Sequence, residues 1–262
     1  MNMEQEIILE RRQRGEHHWA EIRLNRPDKG NALTMSMIDR LGEIADDLAA
    51  DRATRAVVIL GKGRFFCTGG DIEAWGKLAP LEMGRDWILR GIDVFERIAA
   101  LPQPVIAAIT GHALGGGLEL AMAADLRIAV AWAKLGCPEA SLAMIPGWMG
   151  TRRLAELVGP ARARHLLLLA APIPAAQALD WGLVTAVAED DAGLRAQLDG
   201  WLDQLFANGP AALALIKGLL ATMHRDLRHH HASAVAQAAG TEDCREGVRA
   251  FLEKRRPVYR NR

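Results

Sequence analysis

Residues 105–124 constrain this chain more than any other stretch. An uninterrupted apolar run, Val105-Ile106-Ala107-Ala108-Ile109, leads into GHALGGGLEL at 111–120, and the helix-favouring Leu118–Ala124 leaves it. That order predicts a buried strand, a glycine-rich turn and a helix start. Glycine bends where a Cβ clashes and lets another group approach the main chain. The first N–H groups of a helix have no internal partner and sit at its positive end. Such a junction can hold developing negative charge. Glu119 stands two residues past the last of the three glycines. Three glycines before a helix are more often just a tight turn. No Gly-Lys-Ser/Thr follows and the G-x-G-x-x-G spacing is absent, so neither a Walker A loop nor a dinucleotide fingerprint is present.

The flanking sequence extends this unit in both directions. Glu6–Leu9 and Trp19–Leu24 read as two strands about a polar turn at Arg14-Gly15-Glu16. In the second, Ala20, Ile22 and Leu24 alternate with Glu21 and Arg23. Thr34 or Ser36 can cap a helix whose face carries Met37, Leu41, Ile44 and Leu48. Ala56–Leu60 reads as a short buried strand. It runs into a second glycine-rich loop, GKGRFFCTGGD at 61–71, where Asp71 can serve as a helix N-cap. Leu81–Ala100 reads as one long helix ended by Pro102 and Pro104, and Leu126–Val130 as a strand. A dense loop, LGCPEASLAMIPGWMG, fills 135–150. From Thr151 the pattern is mainly helical: Arg152–Val158, Ala161–Leu169, Ala175–Trp181, Ala192–Ala207, Pro210–His224 and Glu242–Arg255, with a short strand at Leu183–Val187. The expectation is an α/β core over residues 1–190 followed by a helical region over 191–262, without an exact repeat or low-complexity linker.

Composition narrows the function classes. Half of the 262 residues are apolar, enough for a large core, and 32 acidic against 32 basic residues give no net charge. A general polyanion binder is disfavoured, so no nucleic-acid partner is expected. Cys67, Cys137 and Cys244 are scattered, which fits a reducing compartment and argues against a disulfide framework or a cysteine zinc site. The N-terminus lacks a signal-type apolar core and no apolar run approaches a membrane span, so a cytoplasmic location is expected. Cys67 reads as a small buried residue, since no base partner for a nucleophile can be named. His229-His230-His231 falls in a helical pattern that points its rings three ways, which disfavours a metal site.

Several stretches, in order and spanning nearly the whole chain, together resemble the crotonase (enoyl-CoA hydratase/isomerase) superfamily: Asn31-Ala32-Leu33, Phe65–Asp71, Gly111–Glu119, Pro138-Glu139, Ile145-Pro146-Gly147 and the C-terminal FLEKRRPVY. The resemblance implies a spiral of repeated strand–strand–helix units with a C-terminal helical region that forms trimers, often paired into hexamers. Periodicity alone does not separate that spiral from a doubly wound sheet. The resemblance also implies an oxyanion hole from the N–H groups of Gly70 and Gly116, gripping the thioester oxygen of an acyl-CoA. The family's two acids match Glu119 and Glu139, twenty residues apart as in the hydratases. The first activates water for attack on the β-carbon and the second gives a proton to the α-carbon. Taken singly, a capping role for Glu119 and a loop ion pair for Glu139 are the simpler readings.

The resemblance further implies contacts to coenzyme A from Lys29, Ala32, Leu33, Thr68, Asp71 and Ile72, and from Phe251 and Lys254 of a neighbouring subunit. The chain departs from the family at Trp148-Met149, where many relatives carry a small residue or Phe followed by Gly. Trp148, together with Trp75 and Trp87, is therefore a candidate for the acyl pocket, against ordinary core packing. Gly70 replaces a common alanine, which leaves its N–H in place. Tyr259 is the only tyrosine and Gly147 is not Asp, which disfavours branches that use those groups. The expected activity is reversible hydration of a 2-enoyl-CoA, without metal or redox cofactor, coenzyme A being part of the substrate. The alternatives are an enoyl-CoA isomerase or specialised hydroxyacyl-CoA dehydratase, and a non-catalytic acyl-CoA or RNA-binding relative.

Overall fold

A computed structural model describes residues 6–221, 241–260 and 262, with the backbone alone at 248, 251 and 252. Its architecture grows from the first hairpin. β1 (Ile7–Arg14) and β2 (His17–Leu24) pair antiparallel about Gly15, whose φ of +59° suits a glycine. Both strands outrun their apolar cores because the pairing continues to Arg14 and His17. α1 (Met35–Ala50) comes next, with Thr34 accepting the Met37 N–H at 3.2 Å as its cap. The expected face of Met37, Leu41, Ile44 and Leu48 is buried.

From there the chain repeats one operation. β3 (Thr54–Gly61) joins a six-stranded sheet and β4 (Phe65–Cys67) starts a four-stranded one. β5 (Val105–Ile109) and β6 (His112–Leu114) do the same, as do β7 (Leu126–Val130) and β8 (Lys134–Gly136). β9 (Ile173–Pro174), α7 (Ala175–Asp180) and β10 (Ala186–Ala188) close the sheets. The orders are β1-β2-β3-β5-β7-β10 and β4-β6-β8-β9, with parallel pairing along the successive units. Each helical connection carries the chain one strand further along both sheets, which is the strand–strand–helix spiral. The first connection holds α2 (Ile72–Trp75), α3 (Pro80–Glu82), a π-helical segment Met83–Leu89 and α4 (Arg90–Ala99). The second is α5 (Gly116–Met122), entirely buried. The third is α6 (Gly150–Leu169), preceded by a 3-10 turn at Pro138–Leu142.

Two expected helical stretches are kept and one strand shifts. The helix expected over 81–100 runs unbroken from Pro80 to Ala99 as α3, the π-helical segment and α4, and within the π-helical segment Trp87 is buried while Leu89 is exposed. Helices 152–158 and 161–169 are both present within α6, separated at Gly159, whose φ of +78° and ψ of 160° are non-helical, beside Pro160. The strand of 183–187 lies at 186–188, where the backbone reaches β7.

The helical region begins with α8 (Asp191–Phe206), whose Leu194, Leu198, Leu202 and Phe206 enter the same apolar core as the sheets. α9 (Pro210–Leu220) is tied down by Lys217, which donates to Gln103 O at 2.7 Å and pairs with Asp125 at 2.5 Å. A last helix spans Glu242–Leu252. Among the described residues no helix is long and apolar enough to cross a membrane. His229–His231 lie outside the described residues.

Candidate active site

The three consecutive glycines have three different reasons. Gly115 caps α5 at φ +53°, ψ −130°, a conformation open to glycine, and its O receives the N–H groups of Leu118 and Glu119 at 2.9 and 3.0 Å. A Cβ on Gly116 would lie 2.6 Å from Cε3 of Trp148. A Cβ on Gly117 would lie 2.6 Å from the Cys67 carbonyl carbon. The turn therefore lets α5 close on both β4 and an indole ring. The helix axis then aims the first free N–H, that of Gly116, at the loop after β4.

That loop is held by Asn31. Its Nδ2 donates to the carbonyls of Lys62 (3.0 Å), Phe65 (2.8 Å) and Phe66 (3.2 Å), while its Oδ1 accepts from Arg26 N at 2.8 Å. Leu33 N donates to Gly69 O and Asp71 N to Leu33 O, each at 2.8 Å, and Thr68 N donates to Gly30 O at 3.0 Å. These bonds engage the residues on either side of Gly70 and pass over Gly70 itself. The N–H groups of Gly70 and Gly116 have no acceptor among the described residues. They are close: a Cβ on Gly116 would stand 3.4 Å from Gly70 N. Two unpaired backbone donors converging on one point make a binding place for an oxyanion.

Both glutamates face the same place. One small pocket of about 60 Å³ is lined by Gly70, Gly116, Glu119, Glu139, Trp87 and Trp148 among others. Glu119 is 2% exposed, and its Oε1 accepts the N–H groups of Trp148 and Gly150, both at 2.7 Å. Burial pushes its carboxyl up to about 7 and the Glu139 charge adds to that, against the pull of the two N–H bonds and of Arg153. Glu139, at the start of the 3-10 turn, is also raised by burial, and its Oε2 is buried without a hydrogen-bond partner. Both carboxyls are thus raised by burial within one pocket, and the charge of Glu139 adds to the rise of Glu119. Glu119 caps no turn of its own helix but accepts the first N–H of α6, that of Gly150, together with that of Trp148, so a capping role stands beside its place in the pocket; no ion pair to Glu139 occurs among the described residues.

The tryptophans also converge. A Cβ on Gly70 would lie 2.9 Å from Trp87 Cζ2, 3.2 Å from Trp75 Cδ1 and 3.4 Å from Trp148 Cη2. Met83, Ile88, Met144, Ile145 and Gly147 complete the lining. Residues 29–33 and 68–72 run side by side through the bonds already given. There Ile72 is exposed, Asp71 accepts Ala74 N at 3.2 Å and pairs with Arg26 at 2.5 Å, and Lys29 reaches Glu73 at 3.4 Å. Ala32 and Thr68 are half-buried and Leu33 is buried. Lys254 is exposed, and no described contact links it to these loops; the side chain of Phe251 lies outside the described residues. Cys67 is fully buried, its Sγ 3.1 Å from Asn31 O, and burial pushes its thiol up to about 12, so it is no nucleophile. Sequence reading did not find the roles of Asn31 and Arg26 in holding this loop.

The chain matches the enoyl-CoA hydratase/isomerase family over residues 14–262. It is 39% identical over 234 residues to a probable enoyl-CoA hydratase of Bacillus subtilis, covering 88% of this chain and 91% of that one. It is 38% identical to a crotonyl-CoA hydratase of Syntrophomonas wolfei, with 97% of each covered. The crystal structure of an enoyl-CoA hydratase from Bacillus anthracis superposes with a TM-score of 0.92 at 34% identity, covering 98% of this chain and all of that one. The fold, the paired N–H groups and the two carboxyls belong together: this chain is a member of the enoyl-CoA hydratase/isomerase family.

Proposed function

We propose that this enoyl-CoA hydratase adds water across the 2,3 double bond of an acyl-CoA thioester through Glu119 and Glu139, with the thioester oxygen held by Gly70 and Gly116. One observation carries the reading: those two free N–H groups and the two carboxyls line a single small pocket. As the β-carbon is attacked, electrons move onto the thioester oxygen, and each N–H donor aimed there contributes about 3 kcal/mol, the order measured for an oxyanion-hole donor. Glu119 takes a proton from water as its oxygen bonds to the β-carbon. Glu139 delivers a proton to the α-carbon, and the proton gained by Glu119 returns to Glu139 to reset the pair. Both pKa shifts support this exchange, since each carboxyl is moved toward neutrality. The balance consumes only water, so the reaction as drawn needs no metal or redox cofactor, and coenzyme A enters with the substrate.

Coenzyme A lies, in this reading, along the paired segments 29–33 and 68–72. Phe251 and Lys254 reach it from a neighbouring subunit of a homotrimer or a dimer of trimers, assembled through the region after residue 190. The setting is the cytoplasm. Glu119→Gln and Glu139→Gln test the chemistry. Each lowers turnover on crotonyl-CoA by about 10²–10⁴-fold while acyl-CoA binding, followed by calorimetry, survives. Near-normal rates in both variants refute the assignment. Loss on a 3-enoyl-CoA in Glu139→Gln alone, with Glu119→Gln active, shows an isomerase instead.

A further inference from the structure

The indole of Trp148 stands where nothing in the hydration chemistry requires a ring. It is 2% exposed and wedged between two glycines on different helices. A Cβ on Gly91 of α4 would lie 2.6 Å from its Cδ1, and one on Gly116 of α5 would lie 2.6 Å from its Cε3. Its Nε1 donates to Trp87 O at 3.3 Å, and it meets Phe95 edge-on at 5.2 Å and Trp87 at 5.7 Å. Its backbone is fixed as firmly, because Trp148 N and Gly150 N both end on Glu119. The backbone that carries the ring is thus tied to a catalytic carboxyl, while the ring itself is held by its packing against Gly91, Gly116, Phe95 and Trp87. What it leaves is a pocket of about 60 Å³, space for roughly four to six waters. Ligand pockets of ordinary size are roughly five or more times larger.

We infer that Trp148, admitted by Gly91, is the residue that limits the acyl chain of this hydratase to about four carbons. The inference rests on the hydratase reading above. The α- and β-carbons must lie beside Glu119 and Glu139, so a chain continuing beyond the β-carbon runs into the indole within one or two methylenes. Apart from Glu119 and Glu139, the side chains that line the pocket are apolar, Trp87, Met83, Ile88 and Trp148 among them. It therefore selects by length, and a charged acyl terminus finds no partner in it. The device is a matched pair: any residue larger than glycine at 91 overlaps the ring, so the tryptophan at 148 and the glycine at 91 act together.

The test is kcat/KM on straight-chain 2-enoyl-CoAs of four, six, eight and ten carbons. The natural chain loses at least about 10-fold between the four-carbon substrate and the first length that does not fit, the scale set by a misfitted methylene. Trp148→Ala raises the ten-carbon to four-carbon ratio by at least about 10-fold, chiefly through KM for the long substrate. Gly91→Ala changes the ratio in the natural background and is silent beside Trp148→Ala, because the ring it strikes is then gone. If Trp148→Ala does not fold, as read by circular dichroism, Trp148→Phe carries the same test with a smaller shift in the same direction. A folded Trp148→Ala or Trp148→Phe with an unchanged length profile overturns the inference. Equal kcat/KM at all lengths in the natural chain overturns it too and leaves the hydratase reading standing, whereas hydration of none of them overturns both.

Discussion

Glu119 should lower the stability of the fold it serves, and Glu119→Gln should reveal by how much. Burial moves its carboxyl from an ordinary 4.5 to about 7. The folded chain therefore holds a proton that the unfolded chain releases between those values. Stability falls as pH rises through that window and levels off above it. A span from 4.5 to about 7 is worth about 3 kcal/mol at 1.36 kcal/mol per pH unit. Glutamine is nearly isosteric, its carbonyl can still accept from Trp148 N and Gly150 N, and it does not titrate. The difference in unfolding free energy, Glu119→Gln minus the natural chain, should grow by about 3 kcal/mol between about pH 4.5 and about pH 8. The constant cost of weaker neutral hydrogen bonds cancels in that comparison. Urea unfolding at several pH values and one fixed protein concentration reads it, since assembly would otherwise shift the midpoint. A difference that is flat with pH, or that shrinks as pH rises, refutes the burial argument for Glu119.

Gly116→Ala keeps the N–H but drives a methyl into the Trp148 ring and 3.4 Å from Gly70 N, so the donor is displaced and kcat/KM on crotonyl-CoA should fall by about 10²-fold, the order lost with one oxyanion donor. Unaltered steady-state kinetics would remove Gly116 from the site. Asn31→Ala strips one donor from three carbonyls and puts alanine at φ +56°; thermal and urea unfolding should show a loss of about 2–4 kcal/mol, with turnover falling as the turn at 69–71 loosens. A stability change below about 1 kcal/mol would show that the loop is held by other bonds.

The sequence disclosed the site more fully than the fold. The apolar run at 105–109 and the glycines at 115–117 mark strand, turn and helix by local rules, and the structure keeps all three. Strands β1, β2, β3 and β7 and helix α1 follow from apolar runs and periodicity in the same way. The second sheet does not, because β4, β6, β8 and β9 are two or three residues long and carry no period to read. Their pairing is a tertiary fact, and only the resemblance to a known family carried the spiral. The π-helical turn at 83–89 was equally hidden, since Met83, Trp87 and Ile88 fit the face of an ordinary α-helix as readily as that of a wider turn. Gly70 and Gly116, 46 positions apart, could be named as partners only through the family; their proximity depends on Asn31 and Leu33 fixing a loop from a distance. The fit of Trp148 against Gly91 is a contact between a loop and a helix that no local pattern encodes.

Hydration by the Glu119–Glu139 pair is tested most directly by one measurement: the enoyl-thioester absorbance of crotonyl-CoA after the purified protein is added, with the product weighed by mass spectrometry. The predicted result is loss of the band and a product heavier by one water, with the hydroxyl on the β-carbon. A band that persists, with crotonyl-CoA recovered unchanged, contradicts it.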